Sequence, residues 1–311
     1  INLLSYLGIE DPEQLAPLLA ELAEPLPDRT RLAQLEDEAA IAAASGDHAR
    51  ALEARLEAFK LAVRWGAAPF RAAAALRLAD SAEASGRTAE VLAVGSFIER
   101  LAPGLTPEDA ARFLMHAASC EDGVGEPAAA MAHLEAARTA LLVAAEPDQR
   151  LLGLTLRAMG WHHANAHHDR EAAAEFLAAA EALENAGQSD DAADAALFSA
   201  YAELRLGNIV AAGQLAEAVL GLLPGLEKPW GVEMSARHVI ADAAARAGSD
   251  AVSAEVVEES YAAALAVAAR APEPETAETS RMRVLLSLAK WREESGNLGP
   301  AVDAAREALA I

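Results

Sequence analysis

Cysteine is all but missing from this sequence: Cys120 stands alone among 311 residues. That excludes an intramolecular disulfide and any Cys-rich metal site. Placed inside a helix, such a residue reads as a small packing group, not as a reactive thiol. Aromatic residues are equally sparse, at 13 in all or 4%, which removes the large side chains that favour strands. Basic charge is scarce too, with 25 Lys and Arg against 48 Asp and Glu and a formal net charge of −23. Nucleic acid repels such a surface, and no phosphate-neutralising stripe of basic residues is present. Anionic membranes are disfavoured on the same ground. No apolar run reaches the length of a membrane span and no signal-peptide pattern opens the chain, so the expected compartment is the cytoplasm.

What is abundant is alanine, at 82 residues. Alanine enters a helix at the least cost, and its methyl group lets helices approach closely. The predicted class is all-α. Short turn signals recur along the chain, among them Ser45-Gly46-Asp47, Ser85-Gly86-Arg87, Leu206-Gly207-Asn208 and Ser295-Gly296-Asn297. Anchored on residues 46, 86, 125, 168, 207, 248 and 296, they lie 40, 39, 43, 39, 41 and 48 apart. Each is flanked by helix-period segments, so each anchor marks an αα-hairpin.

Small residues recur in that frame. Seven positions before the anchors stand Ala39, Ala79, Ala118, Trp161, Ala200, Ala241 and Ala289. Five after them stand Ala51, Val91, Ala130, Ala173, Ala212, Ser253 and Ala301, and twelve after them Ala58, Ile98, Ala137, Ala180, Val219, Ser260 and Ala308. This pattern resembles the tetratricopeptide repeat (TPR), over roughly residues 30 to 311. The late proline of that family is matched only at Pro103 and Pro224. Its early tryptophan and mid-helix tyrosine are mostly missing and the period is nearer 40 than 34, the mark of a divergent, long-period member. The resemblance implies an α-solenoid, a right-handed superhelix of about seven hairpins. The expected organisation is a short helix and bent linker over 1–28, then a repeat domain over 29–311. Thr106-Pro107-Glu108-Asp109 reads as a helix N-terminus, and Pro69, Pro127, Pro147, Pro229, Pro274 and Pro300 fall near other expected starts.

Two motifs invite a chemical reading. Asp190-Asp191-Ala192-Ala193-Asp194 fits DDxxD, the magnesium-diphosphate motif of terpene synthases. Such enzymes need an aromatic-lined pocket and a second metal motif, so the expectation here is a cluster that opens a helix and opposes its dipole. His163 and His167 are four apart, a spacing that puts them on one helix face as candidate ligands for zinc. The residue after His163 is Ala164, not the glutamate of a metalloprotease, and the plainer reading is a polar helix end. No cofactor and no catalytic set is expected.

The resemblance puts the first helix of each hairpin on a concave inner side. In repeat one that side is nearly featureless, with Ala33, Glu36, Ala40, Ala43 and Ala44; in repeat two it includes Leu76, Asp80 and Glu83. From repeat four onward it turns polar. His162, Asn165, Tyr201, Arg205, His238, Asp242, Arg246 and Arg283 are the expected ligand-binding residues, with Tyr201 as aromatic anchor and the arginines holding carboxylates. The competing reading pairs these groups with acidic neighbours such as Asp194 and Asp242. The expected function is a scaffold or adaptor that binds a protein or peptide with an acidic or polar segment. The alternative is a sensory or regulatory domain of a larger bacterial regulator. A chain that starts at Ile1 and ends on Ala308-Leu309-Ala310-Ile311 fits the latter. Exposed terminal hairpins could stack end to end in a homodimer.

Overall fold

The structure, a computed structural model, describes residues 27–65, 68–86, 105–123, 125–227, 229–248, 251–271 and 274–311. Most of the segment expected over 1–28 lies outside them; its last two residues, Pro27 and Asp28, open the first helix. Val91, Ile98 and Pro103 also lie outside, as do the side chains of Glu83 and Cys120.

The chain is all-α, an α-solenoid of TPR-like helix hairpins, and no strand occurs among the described residues. It forms two compact units, divided between Glu126 and Pro127. The first contains α1 (Pro27–Ala44), α2 (His48–Trp65), α3 (Ala68–Ala84) and α4 (Pro107–Gly123). The second contains α5 (Pro127–Val143), α6 (Gln149–Asn165), α7 (Asp169–Asn185), α8 (Ser189–Leu206) and α9 (Ile209–Leu222), which runs into a 3-10 turn at Leu223–Gly225. It continues with α10 (Pro229–Ala247), α11 (Ala254–Ala268), α12 (Pro274–Glu294) and α13 (Leu298–Leu309).

Helix starts follow the sequence signals. Pro107, Pro127, Pro229 and Pro274 are each the first helical residue, where the missing N–H costs nothing. The Thr106 hydroxyl accepts the Asp109 N–H at 3.1 Å, and Asp148 caps α6 by accepting from Leu151 at 3.0 Å. Helix ends share one device. Gly46, Gly86, Gly125, Gly207, Gly248 and Gly296 all have positive φ. Around most of them the Schellman pattern closes: Asp47 donates to Ala42 and Gly46 to Ala43, and Asn208 to Glu203 and Gly207 to Leu204.

In the fourth hairpin the residue at this position is His167, with φ +59°, not residue 168. His167 donates to Ala164 and His168 to His163, the same Schellman bonds. The frame there is corrected by one position. The small residue in contact is then Gly160, not Trp161, and on the second helix Ala172 and Ala179 are fully buried, with Ala173 buried beside them and Ala180 half-buried. A Cβ on Gly160 would lie 2.7 Å from Phe176 ring carbons, and one on Gly153 would lie 2.6 Å from Leu183 Cγ. Only glycine admits so close an approach of α6 to α7. The sixth hairpin departs in another way. Ser253 caps α11, and the packing residues are Val257 and Ala264, four places later. A longer turn accounts for the shift. A further left-handed turn at Gly187, between α7 and α8, has no counterpart among the sequence anchors.

Elsewhere the frame holds. Ala39, Ala79, Ala118, Ala200, Ala241 and Ala289 are buried, as are Ala51, Ala58, Ala130, Ala137, Ala212, Val219, Ala301 and Ala308. Each buried methyl contributes only about 0.8 kcal/mol, so the larger groups Leu78, Phe176, Leu183 and Tyr261 carry much of the core. Ion pairs link neighbouring hairpins at about one repeat's separation: Arg77 to Glu36 at 3.1 Å, Arg157 to Asp191 at 2.7 Å, and Arg292 to Glu258 at 2.8 and 2.6 Å.

Candidate functional site

In the second unit the first helices α6, α8, α10 and α12 converge on a cavity of about 290 Å³. One wall is aromatic. Trp161 meets Phe176 edge-on at 5.5 Å and Phe198 at 4.5 Å, and Phe176 meets Phe198 at 5.4 Å. Phe176 is fully buried and backs the other two, while Trp161 is 43% exposed. The opposite wall is polar, formed by Tyr201, Arg205, Asp242, Arg246 and Arg283.

Five of the eight residues expected at a ligand site therefore surround one cavity. The other three do not line it. His162 is half-buried on α6, Asn165 is the exposed last residue of that helix, and His238 is 3% exposed, its Nε2 3.6 Å from the lining residue Asp242. The residue that sequence reasoning missed is Trp161, assigned to helix packing because the fourth anchor was placed one position late. With the anchor at His167, Trp161 falls in the inner-face register.

The polar groups differ in what they are already engaged with. Arg205 pairs with Asp169 at 2.6–2.7 Å, which matches the competing reading in kind but with a different partner. Arg246 donates to the Leu204 carbonyl at 2.8 Å and has no ion pair to any described residue. Arg283 has no hydrogen bond or ion pair to any described residue, although it acts electrostatically on Tyr201 and His238. Asp242 accepts from the Tyr261 hydroxyl at 2.8 Å, and its Oδ1 lies 3.6 Å from His238 Nε2. Burial, with Asp242 adding, holds the Tyr261 hydroxyl in its protonated form. Burial also pushes the Tyr201 pKa up to about 12, with Arg283 pulling down and Asp242 pushing up. The Tyr201 oxygen is buried without a hydrogen bond of normal geometry to a described residue, although the Ser235 side chain stands near enough to pull its pKa down.

Ser287, His238 and Asp242 are the residue types of an acyl-transfer triad, but not its arrangement. Ser287 Oγ lies 2.9 Å from His238 Nε2, the same nitrogen that faces Asp242. A triad needs the carboxylate on the other ring nitrogen to fix the tautomer, and His238 Nδ1 is buried with no hydrogen-bond partner among the described residues. Burial lowers the His238 pKa, with Asp242 opposing and Arg283 adding, so the ring is neutral at neutral pH.

The two other motifs resolve into local structure. Asp190 and Asp191 stand in the first turn of α8, as expected of a helix start. Asp191 holds Arg157 and Asp190 accepts the Glu227 N–H at 3.2 Å. His163 and His167 do not share a helix face: α6 ends at Asn165, and His167 occupies the left-handed turn. The ring nearest His163 is that of His168, with centroids 6.0 Å apart. Among the described residues no group of three His, Cys, Asp or Glu is placed to hold a metal ion, and no helix is long and apolar enough to cross a membrane.

No protein-family model matches the chain, and no curated protein sequence does. Solved structures do. The apo form of RapI aligns with a TM-score of 0.57 and 10% identity, over 90% of this chain and 96% of that one. A tetratricopeptide repeat protein from Parabacteroides merdae aligns at 0.53 and 16%, over 90% and 93%. A signal-transduction ATPase with numerous domains (STAND) and a tetratricopeptide repeat sensor, from Pyrococcus horikoshii, aligns at 0.60 and 13%. That alignment takes in 97% of this chain but 48% of the ATPase, so the chain spans about half of its length. At these identities the likeness establishes architecture, and the chain has the fold of the tetratricopeptide-repeat proteins in a divergent form.

Proposed function

We propose that the chain is a protein- or peptide-binding scaffold or adaptor, and that the inner face of its second unit is the binding surface. The observation that carries this reading is the convergence of Tyr201, Arg205, Asp242, Arg246 and Arg283 on one cavity beside an exposed tryptophan. Aromatic and arginine side chains are the groups that dominate binding energy at protein interfaces. Two arginines with no ion pair to any described residue, on a chain of formal net charge −23, favour a segment with acidic groups. The His238 ring faces Ser287 and Asp242 through a single nitrogen and so offers no acyl-transfer triad beside this surface.

The test is quantitative capture of a partner from a lysate of the source organism, followed by titration of the purified partner. An Arg246→Glu/Arg283→Glu variant with unchanged helicity is expected to bind it at least tenfold more weakly. Equal affinity would move the binding surface elsewhere.

A second reading is favoured by one finding: nearly the whole chain aligns with about half of a STAND ATPase that carries a tetratricopeptide repeat sensor. On that reading the same inner face is the sensory part of a larger bacterial regulator. The full gene decides it, because an adjoining nucleotide-binding motif would support the regulator and its absence would not.

A further inference from the structure

Three features of the cavity define its occupant more narrowly than a peptide in general. The first is size. An apolar cavity of about 150 Å³ holds a benzene ring, and most small-molecule sites exceed about 300 Å³. At about 290 Å³ this cavity, open on one side, has room for one ring and a short chain. The second is the wall. Trp161, Phe176 and Phe198 form a mutually packed aromatic cluster, and 43% of Trp161 is left open. Such a surface prefers another ring, stacked or edge-on. The third is charge. Arg205 is neutralised by Asp169, but among the described residues Arg246 and Arg283 have no ion-pair partner and the lining holds one carboxylate, Asp242, already held by Tyr261. The cavity therefore carries about one excess positive charge within a strongly acidic chain.

We infer that this cavity binds an aromatic carboxylate: a single ring that packs on Trp161 and Phe198, joined by a short linker to a carboxylate held by Arg283 and Arg246. The inference rests on the inner-face reading above and names its ligand class. A guanidinium meets a carboxylate through two parallel N–H···O bonds, which a neutral amide cannot reproduce. The same chemistry is offered by a free aromatic acid and by the C-terminal residue of a chain ending in phenylalanine. The size of the cavity admits the terminal residue in either case.

Isothermal titration of the full 311-residue chain with 3-phenylpropionate and with 3-phenylpropanamide tests the charge, and N-acetyl-Gly-Gly-Phe as acid or amide tests the source. The acids are expected to bind at least tenfold tighter than their amides. Arg283→Gln should shrink the difference between acid and amide, Arg246→Gln/Arg283→Gln should bring them to parity, Arg283→Lys should keep part of the difference, and Trp161→Ala should weaken both. A tripeptide acid tighter than phenylpropionate identifies a chain terminus; the reverse order identifies a free acid. Equal binding of acid and amide, or binding of none of the four probes, would overturn the inference. If none binds while the Arg246→Glu/Arg283→Glu variant still loses its captured partner, only the ligand class is wrong and the inner face stands.

Discussion

Gly160 and Phe176 are in contact so close that a methyl group on the glycine would sit 2.7 Å from the ring. The same ring backs Trp161 at the cavity wall, so a backbone contact between α6 and α7 sets the position of the aromatic surface. Gly160→Ala is expected to destabilise the chain by about 1–3 kcal/mol through overpacking, even though alanine is the better helix former. Gly213→Ala is the control. There the nearest atom, Ala243 Cβ, lies 3.8 Å away, and the substitution should stabilise by about 0.5–1 kcal/mol. Thermal or denaturant unfolding of the two variants should move in opposite directions.

The Tyr201 and Tyr261 hydroxyls are predicted to differ sharply. Tyr261 donates to Asp242 at 2.8 Å, and its removal leaves a half-buried carboxylate short of a donor. Tyr261→Phe should cost about 1.5–3 kcal/mol. The Tyr201 oxygen is buried without a normal hydrogen bond, so Tyr201→Phe should change stability little or raise it. Comparison of the two denaturation midpoints checks the assignment.

His238 gives the fold a pH dependence of definite sign. Its folded pKa lies below the ordinary 6.5 because of burial, with Asp242 on its own helix opposing and Arg283 on α12 adding. The unfolded chain then takes up a proton more readily than the folded one. This contribution is fully present above pH 6.5 and is lost as pH falls towards the folded value. Between pH 7 and about 5 the wild-type melting temperature should fall more steeply than that of His238→Gln. Identical slopes would mean that His238 is not held neutral.

His167 tests the corrected repeat frame. A non-glycine residue in the left-handed region costs roughly 1–2 kcal/mol, and His167 occupies that region where the other hairpins have glycine. His167→Gly should stabilise by about 1 kcal/mol, whereas His168→Gly, at the N-cap of α7 with no side-chain cap bond, should not.

Much of this architecture was legible because a Schellman turn needs glycine and close hairpin packing needs small residues, and both leave periodic marks. The frame slipped where the turn residue was a histidine inside a run of polar residues, which carries no glycine signal. It slipped again at Ser253 and Ser260, where a longer turn moves the packing face onto Val257 and Ala264. Five residues that line the cavity were legible because inner-face register follows from the frame. The aromatic wall was not. Thirteen aromatics in 311 residues suggest no pocket, yet Trp161, Phe176, Phe198 and Tyr201 come together from three helices. Sparse residues can still be locally concentrated by packing, which composition does not record.

The central claim is that the inner face of the second unit binds through Arg246 and Arg283. Its most direct measurement is the affinity of the purified partner for the wild type and for Arg246→Glu/Arg283→Glu, at matched helicity and melting temperature. A loss of tenfold or more, steeper at low salt, is the predicted result. Unchanged affinity in the double variant would contradict the account.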